Sequence, residues 1–294
     1  MTLITGADGF IGRNLVEHLK LSGIKIKCLL EKSSLFESPD TEIVYGDLSD
    51  TVSLEKAAAN TEIAVHLAGA RTAANIEDYY RINFRGTENL LRACVKAGVK
   101  RIIFVSSLNV SLERLNAYAD SKRMAEEAVR DSGLQWVILR PSLVYGRNDR
   151  NIIGGLISVI RKSPLLPVIG SGENRVQPLY IRDFVEVIRL LIDDFERYKG
   201  GVIDALGPNS VSYNQLADII CAVLGRKTAR IKIPVFMLKA AVYPMAFFSA
   251  KFRVLKDKLY TYSIDKTGDP CVIENKFGFK PVSVRDGIAG ILEA

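Results

Sequence analysis

An apolar run, Thr2–Thr5, passes straight into Gly6-Ala7-Asp8-Gly9-Phe10-Ile11-Gly12, and an amphipathic segment follows at once. Strand, glycine turn and helix in that order leave few folds open. Gly6 permits the tight turn, Gly9 lets a phosphate approach the backbone, and Gly12 brings the helix close to the strand. The N–H groups that open the helix, at Phe10, Ile11 and Gly12, are then free to donate to an anion. The spacing is GxxGxxG where many dinucleotide sites have GxGxxG, and by itself a glycine-rich turn before a helix gives the same pattern.

Short apolar runs alternate with amphipathic segments through the first half of the chain. Thr2–Thr5, Ile24–Leu30, Ile43–Tyr45, Ile63–Ala68, Arg101–Ser106 and Trp136–Arg140 are expected strands; Gly12–Leu21, Leu54–Ala59, Asn83–Ala97 and Ala117–Ser132 are expected helices. This rhythm predicts an α/β protein with a doubly wound parallel sheet, a Rossmann fold, whose apolar strands are covered by helices on both faces. After Tyr145-Gly146 the rhythm loosens, and Pro164, Pro167, Gly170 and Gly172 mark an irregular passage. The expected division is a dinucleotide-binding domain at 1–150 and 178–206, with a smaller substrate lobe at 151–177 and 207–294. Leu179–Ile181 and Gly201–Leu206 are the segments expected to return to the sheet.

The 294 residues, 48% hydrophobic and 25% charged, are those of an ordinary globular chain. A net charge of +7 favours anionic partners. The basic residues read as scattered among acids, which sets a nucleic-acid surface aside. Cys28, Cys94, Cys221 and Cys271 show no CxxC or ligand spacing and read as apolar filling in a reducing compartment. His66, inside the apolar run Ile63 to Leu67, reads as structural, so no metal site is expected. A first strand at residue 2 leaves no room for a signal peptide, and the expected location is cytoplasmic. Ile233–Ala250 is apolar but broken by Lys239 and Pro244. It reads as a packed helix pair, membrane contact being the lesser alternative; its rival is a surface touching lipid or a lipid-linked substrate.

Two constellations carry chemistry. Gly46-Asp47-Leu48 follows the third strand, at the edge where an adenine would lie, and Asp47 is either a contact to the adenine amino group or a helix N-cap. Tyr118 and Lys122, at i and i+4, share one helix face, and Ser106-Ser107 closes the strand before them. A carbonyl that is reduced must gain a proton as it gains a hydride, and Tyr118 is the expected acid/base. Lowering a tyrosine pKa from about 10 to neutrality takes ~4 kcal/mol. One cation about 4 Å away at an effective dielectric near 20 supplies ~4 kcal/mol, so Lys122 alone is of the right size. Ser107 is placed to hold the substrate oxygen beside the phenol.

Together with Val65-His66-Leu67-Ala68-Gly69, Asn83-Phe84-Arg85-Gly86-Thr87-Glu88-Asn89-Leu90-Leu91, Leu139-Arg140-Pro141-Ser142-Leu143-Val144-Tyr145-Gly146 and Leu179-Tyr180-Ile181-Arg182-Asp183, these motifs are similar to the extended short-chain dehydrogenase/reductase family. The resemblance is to its NAD-dependent epimerase/dehydratase branch, over about residues 2 to 183. It implies NAD as cofactor, with NADP possible, and a nucleotide-sugar substrate. It implies catalysis by Ser107, Tyr118 and Lys122, with Lys122 also on the nicotinamide ribose. Leu67, Ala68, Gly69 and Leu48 join the cofactor site, and Pro141 and Leu143 line the nicotinamide pocket. Asn83 either stabilises the substrate site or caps its helix; Arg175 either meets the substrate diphosphate or is a solvated loop charge.

The chain departs from the family where NAD users carry Asp at the end of the second strand. Leu30 and Glu31 stand there, and Glu31 would bond the ribose and repel a 2′-phosphate, with Lys32 weakening that preference. The short stretch between Ser107 and Tyr118 leans toward relatives that reduce 4-keto sugars or act on other alcohols. The leading expectation is an epimerase or reductase acting at C4 of a nucleoside-diphosphate sugar, as a possible homodimer. The alternatives are a dehydrogenase of an apolar, sterol-like alcohol and a non-catalytic cofactor-binding subunit.

Overall fold

The structure is a computed structural model that describes residues 1–31, 33–38, 41–149 and 152–293, without the side chains of 262, 263 and 293. Its strands are β1 (Thr2–Thr5), β2 (Ile26–Leu30), β3 (Glu42–Tyr45), β4 (Ile63–His66), β5 (Arg101–Val105), β6 (Gln135–Pro141), β7 (Val144–Tyr145), β8 (Leu165–Ile169), β9 (Arg175–Val176), β10 (Leu179–Tyr180), β11 (Val202–Ala205), β12 (Val211–Ser212) and β13 (Ala229–Ile233). Its helices are α1 (Phe10–Leu21), α2 (Thr51–Ala58), α3 (Ile76–Tyr79), α4 (Gly86–Ala97), α5 (Ala117–Arg130), α6 (Ile152–Lys162), α7 (Ile181–Asp193), α8 (Phe195–Tyr198), α9 (Tyr213–Leu224), α10 (Val235–Phe248), α11 (Ala250–Leu259), α12 (Val272–Phe277) and α13 (Val284–Glu293).

The seven-stranded sheet runs β11-β6-β5-β4-β1-β2-β3, and β1 to β6 pair in parallel. Strand order reverses at β1/β4, so the ends of these two strands form the switch point where such sheets bind ligands. β1, β2 and β4 are buried throughout, as the expected doubly covered sheet requires. β3, at the edge, is half exposed. Leu3, Leu54, Leu90, Ile102, Phe104 and Val129 anchor the core between this sheet and α2, α4 and α5.

By chain contacts the protein divides into a unit of Met1–Arg140 and Val185–Ile203 and a second of Pro141–Phe184 and Asp204–Ala294. β11 joins the large sheet as expected of 201–206. β10 does not: it pairs with β7 in a separate two-stranded ladder, and the Leu179 amide donates to the Leu143 carbonyl at 3.0 Å beside it.

In the second unit the stretch expected to form a packed helix pair is instead one helix, α10, which runs through Pro244 and packs on α11 beyond it. The packing covers little of α10, where Val242 and Ala246 alone are buried. Among the described residues no helix is long and apolar enough to cross a membrane.

Candidate active site

The glycine loop is held open by backbone sterics. Gly6 has φ +71°, and a Cβ there would lie 2.8 Å from the Ala68 nitrogen. Both conformation and contact therefore demand glycine. A Cβ at Gly12 would stand 2.1 Å from the Gly6 carbonyl oxygen and 2.6 Å from Ala7 Cα. The close approach expected between helix and strand is thus an approach of α1 to the loop's own backbone. Gly9 is the N-cap of α1 and offers no side-chain acceptor, and the first helical bond runs from Arg13 N–H to Gly9 carbonyl at 3.0 Å. The N–H groups of Phe10, Ile11 and Gly12 are left to point beyond the helix end, a fit to the pyrophosphate of a dinucleotide.

Glu31 is exposed just past β2, and its carbonyl accepts from Ser34 N–H at 2.9 Å. Lys32 lies outside the described residues. Asp47 is not a helix N-cap: its Oδ1 accepts from Ser49 N–H at 2.6 Å, while Asp50 caps α2 through Val52 and Ser53. The Ser49 bonds also hold the Asp47 carboxyl below its ordinary range. Leu48 packs on Gly86, where a Cβ would come within 2.8 Å of it, and its carbonyl accepts from Asn89 at 2.8 Å.

The end of β4 is fixed by a chain of hydrogen bonds through His66. Ala68 N–H donates to Thr5 Oγ1 (3.2 Å), and Thr5 Oγ1 lies 2.7 Å from His66 Nδ1. His66 Nε2 lies 2.9 Å from Thr87 Oγ1, whose hydroxyl donates to the Asn83 carbonyl at 2.6 Å. One arrangement of protons satisfies the chain: Thr5 donates to Nδ1, and Nε2–H donates to Thr87. The ring is therefore neutral, and burial pushes its pKa down to about 3. The structural role expected of His66 is the one observed. Leu67, whose N–H donates to the Thr5 carbonyl, Ala68 and Gly69 are carried on this frame.

Asn83 lies in a π-helical turn, Tyr80–Arg85, that widens the start of α4. It is not a cap; the capping box of this helical run is Asn75 with Asp78. Its side chain accepts from Ala70 N–H (2.7 Å) and donates to the Ala70 carbonyl (3.1 Å) and to Ser121 Oγ (3.0 Å). At 1% exposure its amide is buried, with both N–H groups and one lone pair of Oδ1 engaged. It ties the loop after β4 to α5, and the fold uses it for positioning.

On α5 the catalytic candidates converge. Asn116 caps the helix through Ala119 N–H at 2.9 Å, setting the first turn that carries Tyr118. Ser107 Oγ accepts from Asn109 N–H at 3.3 Å, which leaves its hydroxyl to donate, and the Ser107 hydroxyl pulls against the burial that raises the Tyr118 pKa. Tyr79 meets Tyr118 edge to face at 5.9 Å. Lys122 Nζ donates to the Val105 carbonyl at 2.7 Å and stands 4.1 Å from the centre of the Phe104 ring. Burial brings its pKa down to about 7, against the pull of Glu126.

The expected effect of Lys122 on Tyr118 is absent from this arrangement. The phenol pKa is raised, because burial outweighs the pull of the Ser107 hydroxyl and of the Arg71 charge. With its ammonium committed to Val105 and Phe104, Lys122 does not offset that burial.

Sequence reasoning overlooked Arg71, Tyr79 and Glu126. Glu126 is fully buried one turn beyond Lys122, and accepts from Arg140 Nε (2.8 Å) and Nη2 (2.6 Å) and from Arg130 (2.8 Å). Burial would raise its carboxyl, but the Arg140 bonds hold it below the ordinary range. The Lys122–Glu126 spacing of four was the available signal.

In the second unit Pro141 ends β6 and is buried, and Leu143 lies just before β7. Arg175 is not a free loop charge. Its Nε donates to Ser210 Oγ (2.9 Å), its Nη2 to the Ser210 carbonyl, and its N–H to Asp265 (2.8 Å).

Known proteins resemble this chain in sequence and in fold. The chain is 36% identical over 183 residues to the ceramide reductase of Caulobacter vibrioides, an overlap of 61% of this chain and 57% of that protein. It is 26% identical over 262 residues to the UDP-glucose 4-epimerase of Vibrio cholerae, covering 81% and 80% of the two chains. The solved structure of MoeE5 in complex with UDP-glucuronic acid and NAD superposes with a TM-score of 0.80 over 99% of this chain and 97% of that one, at 22% identity, a likeness of fold. A family model, NAD dependent epimerase/dehydratase family, matches residues 2–205. That match runs from the first strand of the large sheet to its last, and the chain belongs to the NAD-dependent epimerase/dehydratase family, an enzyme family whose cofactor is NAD.

Proposed function

We propose that the protein interconverts a secondary alcohol and a ketone at C4 of a nucleoside-diphosphate sugar, with Tyr118 as acid/base. The observation that carries this reading is the convergence on one turn of α5 of Tyr118, whose phenol feels the Ser107 hydroxyl, and the buried Lys122, fixed by the Val105 carbonyl. A bound dinucleotide supplies the hydride donor or acceptor, held by the Phe10, Ile11 and Gly12 amides, with Glu31 on the ribose and Asp47 toward the adenine. In the reducing direction Tyr118 enters as the neutral phenol that its burial favours and gives its proton to the carbonyl oxygen. Ser107 donates to the same oxygen and orients it. Lys122 has two N–H bonds beyond the one to Val105, enough for the nicotinamide ribose hydroxyls. In the oxidising direction the phenol must first lose its proton, and an ammonium turned from Val105 toward Tyr118 lowers that cost.

Arg175, oriented by Ser210, is assigned to the substrate diphosphate. A second reading, an apolar alcohol as substrate, has two supports: the 36% identity to a ceramide reductase and the exposed apolar surface of α10. A thermal-shift panel of nucleoside diphosphates and nucleotide sugars, with NAD or NADP present, separates the two readings. A selective rise in Tm with one nucleotide sugar, lost in Arg175→Ala while NAD still stabilises, supports the first. No response to any nucleoside diphosphate, with turnover of an apolar alcohol, replaces it by the second.

A further inference from the structure

Of the fourteen residues of α10, Val242 and Ala246 alone are buried. Phe236 is 71% exposed, Phe247 80% and Phe248 92%, and Met237, Tyr243 and Met245 are exposed beside them. A helix that is apolar on every side belongs in a core or against an apolar medium. A phenylalanine presents about 150–250 Å², so these side chains reach or exceed the roughly 300–600 Å² of the largest apolar patch on an ordinary monomer.

The charge around this helix is not scattered, contrary to the expectation from the whole sequence. From Ala229 to Leu259 the chain has seven Lys or Arg against Asp257 alone, a surplus of six out of the +7 of all 294 residues. Among the described residues, the exposed Lys232, Lys239, Lys251 and Arg253 have no carboxylate at ion-pairing distance, and Lys256 stands over the Tyr243 ring at 4.9 Å. That stacking sets the basic residues of α11 alongside the aromatic surface of α10.

Exposed Phe and Met beside unpaired Lys and Arg match the acyl boundary and anionic headgroups of a bilayer leaflet. A two-fold contact with a second copy would instead set a surplus of positive charge against itself. At fourteen residues α10 is too short to span. We infer that α10 and α11 form a surface that docks on an anionic bilayer, with Phe236, Phe247 and Phe248 entering the leaflet and Lys239, Lys251 and Arg253 at the phosphates. This assignment is independent of which alcohol the active site takes.

The test is co-sedimentation of the full chain with vesicles of phosphatidylglycerol and phosphatidylcholine in equal parts, and with phosphatidylcholine alone. The protein should pellet with the anionic vesicles and at least about tenfold less with the neutral ones or in high salt. Phe247→Ser with Phe248→Ser, and separately Lys251→Glu with Arg253→Glu, should each lower binding about tenfold while NAD affinity and Tm stay near the parent's. A parent that remains in the supernatant with both vesicle types overturns the inference. So does a parent dimer, in sedimentation velocity, that the Phe247→Ser, Phe248→Ser variant converts to monomer, since a second copy would then be what covers the face.

Discussion

Tyr118 and Lys122 sit four residues apart, and burial pushes each toward its neutral form. The sequence shows the pair and its helical spacing, but the direction of the Lys122 side chain is set by where the Val105 carbonyl ends β5. Tyr118→Phe removes one hydroxyl and little packing, so it should lower turnover at least ~10²-fold with NAD affinity and Tm unchanged. A variant with near-parental turnover would take Tyr118 out of the mechanism. Lys122→Met should also abolish turnover, yet raise stability. Holding an ammonium at a pKa of about 7 instead of 10.5 costs on the order of 4 kcal/mol at neutral pH, and leaving the Val105 carbonyl without a donor gives back ~1–3 kcal/mol. Urea unfolding of the two proteins side by side measures the difference, and a less stable Lys122→Met would mean the ammonium is better solvated than its burial implies.

Elements were easier to read than residues, because period and punctuation report them directly. β1, β4, β5 and the glycine turn follow from apolar runs and glycine spacing. The π turn at Tyr80–Arg85 does not, since no residue pattern distinguishes it from the α-helix expected over Asn83–Ala97. The Asp47 cap failed for a similar reason: Asp47 and Asp50 are both good N-caps by type, and the chain path after β3 selects the second. The loop makes a sharp comparison possible. Gly12→Ala drives a Cβ to 2.1 Å from a backbone oxygen, whereas Gly9→Ala meets that oxygen at 3.2 Å. Overpacking against backbone costs at least ~1–3 kcal/mol, so Gly12→Ala should lower Tm and weaken NAD binding together. Gly9→Ala should leave Tm nearly unchanged and weaken NAD alone. Calorimetric titration with NAD and a thermal scan on both variants check the ordering; equal losses of Tm would refute it.

For the whole molecule the buried ionisable groups set a pH profile. His66 has a folded pKa of about 3 against 6.5, so between those values the unfolded chain binds a proton that the folded protein does not. Stability must fall as pH drops below about 6.5, by up to ~1.4 kcal/mol per pH unit. Lys122, at about 7 against 10.5, acts in a second window with the same sign: stability rises as pH increases from about 7. Lys266, also pushed down by burial, adds to that rise. Above about pH 9 Cys28 and Cys94, thiols pushed up to about 12, reverse the slope, because the unfolded chain then sheds protons that the folded protein keeps. Unfolding free energies should therefore peak near pH 9, and Lys122→Met should flatten the rise from 7 to 9; an unaltered slope in the variant would assign it to other groups. By itself the sequence determined the doubly wound sheet, the glycine loop and the family, since apolar period, glycine spacing and short motifs are local and survive any rearrangement of neighbours. The tertiary structure decided the rest: that Asn83 spends its amide on Ala70 and Ser121, that Lys122 turns to Val105, that Arg175 is held by Ser210, and that α10 lies uncovered. Each of those depends on which distant groups the fold brings within hydrogen-bonding or packing distance, and no local pattern encodes that.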